Sequence, residues 1–140
     1  MLKKAIIVDI DGTVAIRDPE VGRDPFDYKL VYTDLPNKEV INVISSLWES
    51  GHKLIFVSGR EDVCFNQSYR WLVEHCPPFV KLLMRKAGDN RSDDIVKREI
   101  YDKHIKFDYD VVGVFDDRDR VVKMWREIGL TCFQVAEGNF

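Results

Sequence analysis

The stretch Lys4-Ala5-Ile6-Ile7-Val8-Asp9-Ile10-Asp11-Gly12-Thr13 opens on a short apolar run rich in β-branched residues. That is the composition of a strand buried on both faces of a parallel sheet. The run ends on two carboxylates, Asp9 and Asp11, two residues apart. Gly12 lets the backbone turn, and Thr13 adds a hydroxyl. In an open α/β sheet, ligands bind outside the carboxyl ends of the strands. Two acids at such an end cost stability unless something positive lies between them. Mg²⁺ suits the place, because it takes oxygen ligands and is often held by one or two carboxylates plus a substrate phosphate. A single Asp would read as an acidic turn. An apolar strand followed by Asp-x-Asp-Gly-Thr reads as a site.

The next stretch, Val14 to Asp34, is the least regular of the chain, with Pro19, Gly22 and Pro25 among charged residues. It is too polar and broken for a long helix. We expect a loop or small hairpin inserted beside the site, carrying Arg17 and Arg23. Leu30-Val31-Tyr32 is expected as a short strand or as packing on the core. Leu35 to Ser50 then has Val40, Ile41, Ile44, Leu47 and Trp48 at helical spacing, with Asp34 or Asn37 as cap and Gly51 as stop. Lys53 to Val57 is a second apolar strand, followed by Ser58-Gly59-Arg60-Glu61. A helix over Val63 to His75 stops at Pro77-Pro78, and Val80 to Met84 is a third strand.

After the polar loop Arg85 to Arg91, Ser92 can cap a helix from Asp93 to about Ile105. Asp93 and Asp94 fall in its first turn, where the helix dipole favours acids. Val111 to Phe115 is a fourth strand and ends in Asp116-Asp117. A helix over Arg118 to Ile128 turns Val121, Val122, Trp125 and Ile128 inward and closes at Gly129. Thr131 to Val135 is the last strand. Strands alternating with helices predict one α/β domain over residues 1–140, Rossmann-like, three layers deep in the order α/β/α. Its parallel sheet would have about five strands and right-handed crossovers.

A chain of 140 residues has room for one core. The formal net charge of −3 argues against a protein that coats nucleic acid nonspecifically, and leaves room for a basic pocket that grips one phosphate. Cys64, Cys76 and Cys132 are far apart and form no C-x-x-C pair, so neither zinc nor a disulfide framework is expected. Cys76 and Cys132 read as small core residues. No signal peptide or membrane-length apolar run occurs, which predicts a cytoplasmic protein without membrane contact. No G-x-x-x-x-G-K-[ST] loop marks a nucleotide-kinase half. His52, His75 and His104 are scattered and read as surface or packing residues.

Three strand ends thus carry chemistry: Asp9 with Asp11, Ser58 with Arg60, and Asp116 with Asp117. Lys97 lies one helical turn beyond Asp93. Each feature alone has an ordinary reading, as a turn, a solvated lysine or a helix cap. In a doubly wound sheet all of them can converge on one crevice. The order acid pair, hydroxyl, lysine, acid pair resembles the four motifs of the haloacid dehalogenase (HAD) phosphohydrolases across nearly the whole chain. The resemblance implies that Asp9 attacks phosphorus and forms an aspartyl-phosphate. It implies that Asp11 protonates the leaving oxygen and then activates water. Mg²⁺ would be held by Asp9, by Asp11 through its backbone carbonyl and by Asp117, with Asp116 close by. Ser58 and Lys97 would hold the phosphoryl oxygens. The short chain leaves no room for a large cap domain.

A narrower resemblance runs from Met84-Arg85 through Asp89, Arg91 and Asp93 to Val96-Lys97. It continues through Asp116-Asp117-Arg118, Val121-Val122 and Met124-Trp125-Arg126 to Cys132-Phe133-Gln134-Val135-Ala136. These runs are similar to the 3′-phosphatase domain of phage-type polynucleotide kinase/phosphatases. The similarity implies that Arg23, Arg60 and Asp93 belong to the site. The arginines would be bidentate grips on phosphate, and Asp93 would orient Lys97 or a nearby arginine. The implied substrate is a 3′-phosphorylated DNA or RNA end. Such enzymes are bifunctional, and this chain lacks the kinase. It is expected to be an excised domain or a free-standing phosphatase, with a kinase or ligase as a partner left open. Arg17, Arg85, Lys86 and Arg91 read as contacts to nucleic-acid backbone or as solvated loop cations. Two alternatives are a phosphatase of small metabolites or 3′-nucleotides, and a silent module that binds phosphate ends. The intact Asp9 and Asp11 argue against the silent module.

Overall fold

In the computed structural model, which describes residues 1–140, the apolar run at the N-terminus forms β1 (Lys3–Val8). In chain order there follow β2 (Ala15–Ile16), β3 (Leu35–Pro36), α1 (Lys38–Glu49), β4 (Lys53–Glu61), α2 (Phe65–His75), β5 (Lys81–Arg85), α3 (Asp93–His104), β6 (Tyr109–Asp116), α4 (Asp119–Glu127) and β7 (Cys132–Gln134). The main sheet has five strands in the order β5-β4-β1-β6-β7, and every neighbouring pair is parallel. β1 is therefore central, and Ala5 to Val8 are buried. Its side chains alternate between two cores. Ala5 and Ile7 pack with Val96 and Ile100 of α3 and with Val121, Val122 and Trp125 of α4. Ile6 and Val8 pack with Ile44 of α1 and with Trp71 and Leu72 of α2. One face of the sheet thus carries α1 and α2, the other α3 and α4.

This placement makes a switch point. After β1 and β4 the chain crosses over one face of the sheet; after β5 and β6 it crosses over the other. The carboxyl ends of β1 and β6 therefore flank a crevice, where open α/β sheets bind ligands. The expected three-layer arrangement holds. No helix is long and apolar enough to cross a membrane.

The differences from the sequence reading lie around that crevice. β4 runs four residues beyond Val57, through Ser58-Gly59-Arg60 to Glu61. Its register against β5 shifts between Ser58 and Glu61, an irregularity of the kind that re-aims a side chain next to a site. Residues Tyr28–Thr33 form a 3-10 turn and not a strand, and Val31 within it is fully buried. Leu35-Pro36 leaves the expected helix to pair antiparallel with Ala15-Ile16 and pinches the loop at its base. Asp34 does not cap α1, because its side chain turns into the site. Asn37 occupies the cap position, but its amide donates to the Thr13 carbonyl at 2.9 Å. The Ser92 hydroxyl likewise pairs with Asp94 and not with the backbone of α3. α4 begins at Asp119, one residue later than expected. All three cysteines are free; Cys64 and Cys132 are buried, and Cys76 is partly so.

Candidate active site

Asp9 directly follows β1, and its N–H still donates to the Phe115 carbonyl of β6 at 2.9 Å. The chain then turns at Gly12, which has φ +79°. A Cβ there would lie 2.0 Å from Asp117 Oδ2, so this residue must be glycine for conformation and for space. Thr13 Oγ1 donates to Asp9 Oδ2 at 2.9 Å, which leaves Oδ1 to accept from Lys97 Nζ at 2.9 Å. Lys97 reaches in from α3 and is buried. It also donates to Asp116 Oδ2 at 2.9 Å, and that oxygen accepts from Trp125 Nε1 at 3.2 Å. Asp116 Oδ1 accepts the Asp117 N–H at 2.9 Å. The termini of β1 and β6 and one turn of α3 are thereby fastened together by buried charge.

The charges in this cluster do not balance. Carboxylate oxygens of Asp9, Asp116 and Asp117 lie within 4.8 Å of one another, and the one cation among them is Lys97. Burial, followed by the Asp116 charge, pushes the Asp9 carboxyl well above its usual range despite Lys97. Burial also raises Asp117. For Lys97, burial alone would lower the ammonium pKa, but Asp116 and Asp9 outweigh it and hold the group charged. Three hard oxygen donors with an excess of negative charge, at the mouth of a parallel sheet, fit a divalent cation such as Mg²⁺.

Asp11 stands on the other side of the turn in a different field. Arg60 forks onto it, with Nε to Oδ2 at 2.9 Å and Nη2 to Oδ1 at 2.7 Å. Arg23 Nη2 approaches Oδ1 at 3.4 Å. Burial would raise this carboxyl, but the Arg60 and Arg23 guanidiniums bring it below its usual value. Both arginines are buried and share Asp34. Arg23 Nε and Nη2 donate to its two oxygens at 3.0 and 2.9 Å, and Arg60 Nη2 donates at 2.9 Å. Arg60 Nη1 finds Ser68 Oγ of α2 at 3.0 Å, and Trp71 Nε1 donates to the Asp34 carbonyl at 3.0 Å. No buried side-chain polar atom in the molecule lacks a partner.

The expected residues are distributed as follows. Asp9, Asp11, Arg23, Arg60, Asp93, Lys97, Asp116 and Asp117 all line one cleft of about 850 Å³. Ser58 is buried behind it and does not line it. Its Oγ accepts the Arg60 N–H at 3.1 Å, which leaves the hydroxyl proton free to donate. Asp93 orients arginines and not Lys97: it pairs with Arg85 and accepts from Arg118 Nη1 at 2.6 Å. Arg17 and Arg91 lie on the cleft wall, Lys86 does not, and none of the three histidines reaches it.

Three residues of this network escaped the sequence reading. Asp34 looked like a helix cap because its ionic partners are 11 and 26 residues away. Ser68 is an ordinary helix residue by pattern. Arg85 was grouped with solvated loop cations, yet it is buried at the carboxyl end of β5. It donates to the carbonyls of Gly59 at 2.8 Å, Asp89 at 2.9 Å and Arg91 at 2.5 Å. Its position as the last residue of a buried strand was the available signal.

An acid pair facing a second acid pair across a parallel-sheet crevice, bridged by a buried lysine, places the chain in the HAD class of α/β domains. Within that class it belongs to the family described as "Polynucleotide kinase PNKP phosphatase domain", whose profile matches residues 3–140. A protein of Autographa californica nuclear polyhedrosis virus that bears the name bifunctional polynucleotide kinase/RNA ligase is 32% identical over 137 residues. That match takes in 95% of this chain and 19% of the viral protein. Among solved structures, a chain in "Structure of the Pnkp1/Rnl/Hen1 RNA repair complex" is 39% identical with a TM-score of 0.93, covering 99% of this chain and 44% of that one. A chain in "Structure of Pnkp1/Rnl/Hen1 complex" gives 39% and 0.92, covering 99% of this chain and 48% of that one. The chain therefore spans about a fifth of the viral relative and less than half of either solved chain.

Proposed function

We propose that this chain is a Mg²⁺-dependent phosphomonoesterase that removes 3′-phosphates from polynucleotide ends in nucleic-acid repair. The observation that supports it best is the convergence of Asp9, Asp11, two buried guanidiniums and Lys97 on one open cleft. Asp9 attacks phosphorus and the P–O bond to the ester oxygen breaks, leaving an aspartyl-phosphate; the departing oxygen takes a proton from Asp11. Water then attacks the same phosphorus, gives its proton to Asp11, and restores the Asp9 carboxylate. Arg23 and Arg60 grip the phosphate, Lys97 holds its oxygens as charge develops, and Ser58, buried behind the cleft, accepts the Arg60 N–H and positions that residue. Asp93 positions Arg85 and Arg118. Mg²⁺ held by Asp9, Asp117 and the Asp11 carbonyl, beside Asp116, would neutralise charge between the acids and an incoming phosphate dianion.

The two acids are shifted against what this chemistry needs: burial and the Asp116 charge raise the Asp9 carboxyl, and Arg60 and Arg23 lower that of Asp11. Substrate corrects the second. A phosphate dianion that takes Arg60 and Arg23 from Asp11 removes the charges that hold its carboxyl down, so Asp11 gains a proton as substrate arrives. A positive ion among Asp9, Asp116 and Asp117 corrects the first. The cleft of about 850 Å³ is larger than one phosphate needs, which favours a bulky polymer end over a small metabolite as substrate. A kinase or ligase is the expected partner activity, since the viral relative is named for both. The three free thiols fit a reducing cytoplasm.

The test is phosphate release from an oligonucleotide phosphorylated at its 3′ end, with and without Mg²⁺, beside the same oligonucleotide phosphorylated at its 5′ end. Release only from the 3′ end and only with metal is expected. Asp9→Asn should abolish turnover while far-ultraviolet circular dichroism stays unchanged. Near-normal activity in that variant would defeat the mechanism. Activity on small phosphate esters without activity on either oligonucleotide would leave the chemistry standing and discard the polymer.

A further inference from the structure

The cleft is larger than one phosphate needs, and one part of its wall is not polar. The charged groups lie along the ends of β1, β4, β6 and α3. The loop after β1 instead supplies Ile16, Pro25 and Phe26 to the same cleft. Phe26 is 80% exposed and stacks on no other aromatic ring of the protein. A bare phenylalanine on a mobile tip would carry no argument. This one stands on a pinned turn. Its N–H donates to Asp24 Oδ1 at 2.9 Å, and the Asp27 N–H donates to the Asp24 carbonyl at 2.9 Å. Arg23 Nη1 holds the Asp24 and Pro25 carbonyls at 3.4 and 3.2 Å, while its Nη2 reaches Asp11. The backbone that carries the ring is thus tied to the same guanidinium that faces the general acid.

The geometry points to Phe26 as a stacking platform for the nucleobase of the nucleotide that carries the phosphate. A solvent-facing ring on a hydrogen-bonded turn beside an anion-binding cleft offers a π-face that every base can cover, so it adds affinity without choosing a sequence. Ile16 and Pro25 add apolar surface to the same cleft. The two other aromatics on the cleft wall are not equivalent: Tyr28 is only partly exposed, and the Arg118 guanidinium lies 4.7 Å from the ring centre of Phe140. This inference rests on the polynucleotide reading above.

Steady-state kinetics of the wild-type chain and of Phe26→Ala, with Phe26→Trp as rescue, test it on three substrates. They are a single-stranded 3′-phosphorylated oligonucleotide, the same oligonucleotide with an abasic sugar at its phosphorylated end, and β-glycerophosphate. Phe26→Ala is expected to raise KM for the first by about tenfold with little change in kcat. It should leave the abasic oligonucleotide and β-glycerophosphate unchanged, and Phe26→Trp should restore the wild-type KM. Equal KM for the first substrate with and without the ring would overturn the platform, as would an equal loss on all three. Failure of the wild-type chain to act on either oligonucleotide while it hydrolyses β-glycerophosphate would overturn the polynucleotide reading, and this inference with it.

Discussion

The most informative single residue is Asp34, which touches neither of the two acids proposed for catalysis. Its carboxylate is fully buried and accepts from Arg23 and Arg60, the two arginines that face Asp11. A guanidinium is charged at any accessible pH, so two of them in one apolar wall repel each other unless an anion sits between. Asp34 supplies that anion and fixes where the forks point. Asp34→Ala removes one partner of a buried ionic group and leaves Asp11 as the only acid near both arginines. Breaking such a group typically costs about 3–5 kcal/mol. A loss of that order in urea denaturation is expected, together with a rise in KM for any phosphate substrate. A variant as stable as wild type would show that Asp34 does not hold the arginines.

Between elements, β4 comes very close to the N-terminal turn of α3. A Cβ on Gly59 would lie 2.7 Å from Asp93 Oδ1, inside contact distance. Asp93 is also held by Arg85 and Arg118, so it cannot retreat without pulling the start of α3 with it. Lys97 stands one turn further along the same helix. Gly59→Ala is therefore expected to lower kcat by ten- to a hundredfold through a displaced Lys97, since a 1 Å misplacement can cost about that much. The melting temperature should fall by only a few degrees. Unchanged kcat would mean that β4 and α3 yield independently. This is also where legibility from the sequence ends. β1, β4, β5, β6 and the four helices could be read because unbroken apolar runs and helical spacing report burial directly. The Val14–Asp34 loop could not, because its shape is set by Arg23 contacts to Asp11 and Asp34, 12 and 11 residues away. Asp9, Asp11, Lys97 and the 116–117 pair were legible as a motif, and Asp93 as a residue that orients Lys97 or an arginine; that its partners are Arg85 and Arg118 was not, because the three lie at the ends of separate elements.

At the scale of the whole molecule, the acid cluster couples folding to metal and to pH. Asp9 and Asp117 have raised pKa values in the folded chain. Without a cation, the folded state therefore binds protons there that the unfolded state does not. That contribution is complete below the ordinary carboxylate value of about 4 and is lost as pH rises through the folded values. Asp11 has the opposite sign: its lowered pKa contributes stability above about 4, lost as pH falls through its folded value. As pH rises above the ordinary carboxylate value of about 4, the protein in chelator is thus expected to lose this contribution as the Asp9–Asp117 pair gives up its protons. The Mg²⁺ proposed for this cluster would compete with those protons for the same oxygens, and any ligand bound only by the folded state stabilises it by mass action. The rise in melting temperature on adding millimolar Mg²⁺ should accordingly be small near pH 5 and grow towards pH 8. Asp117→Asn, which removes one donor and one negative charge, should flatten that dependence and raise the melting temperature of the chelated protein. Scanning calorimetry of both proteins across this range, with Mg²⁺ or with chelator, measures all of these shifts. A Mg²⁺ effect that is absent at every pH, or that survives Asp117→Asn undiminished, would mean that the three carboxylates are not where the ion binds.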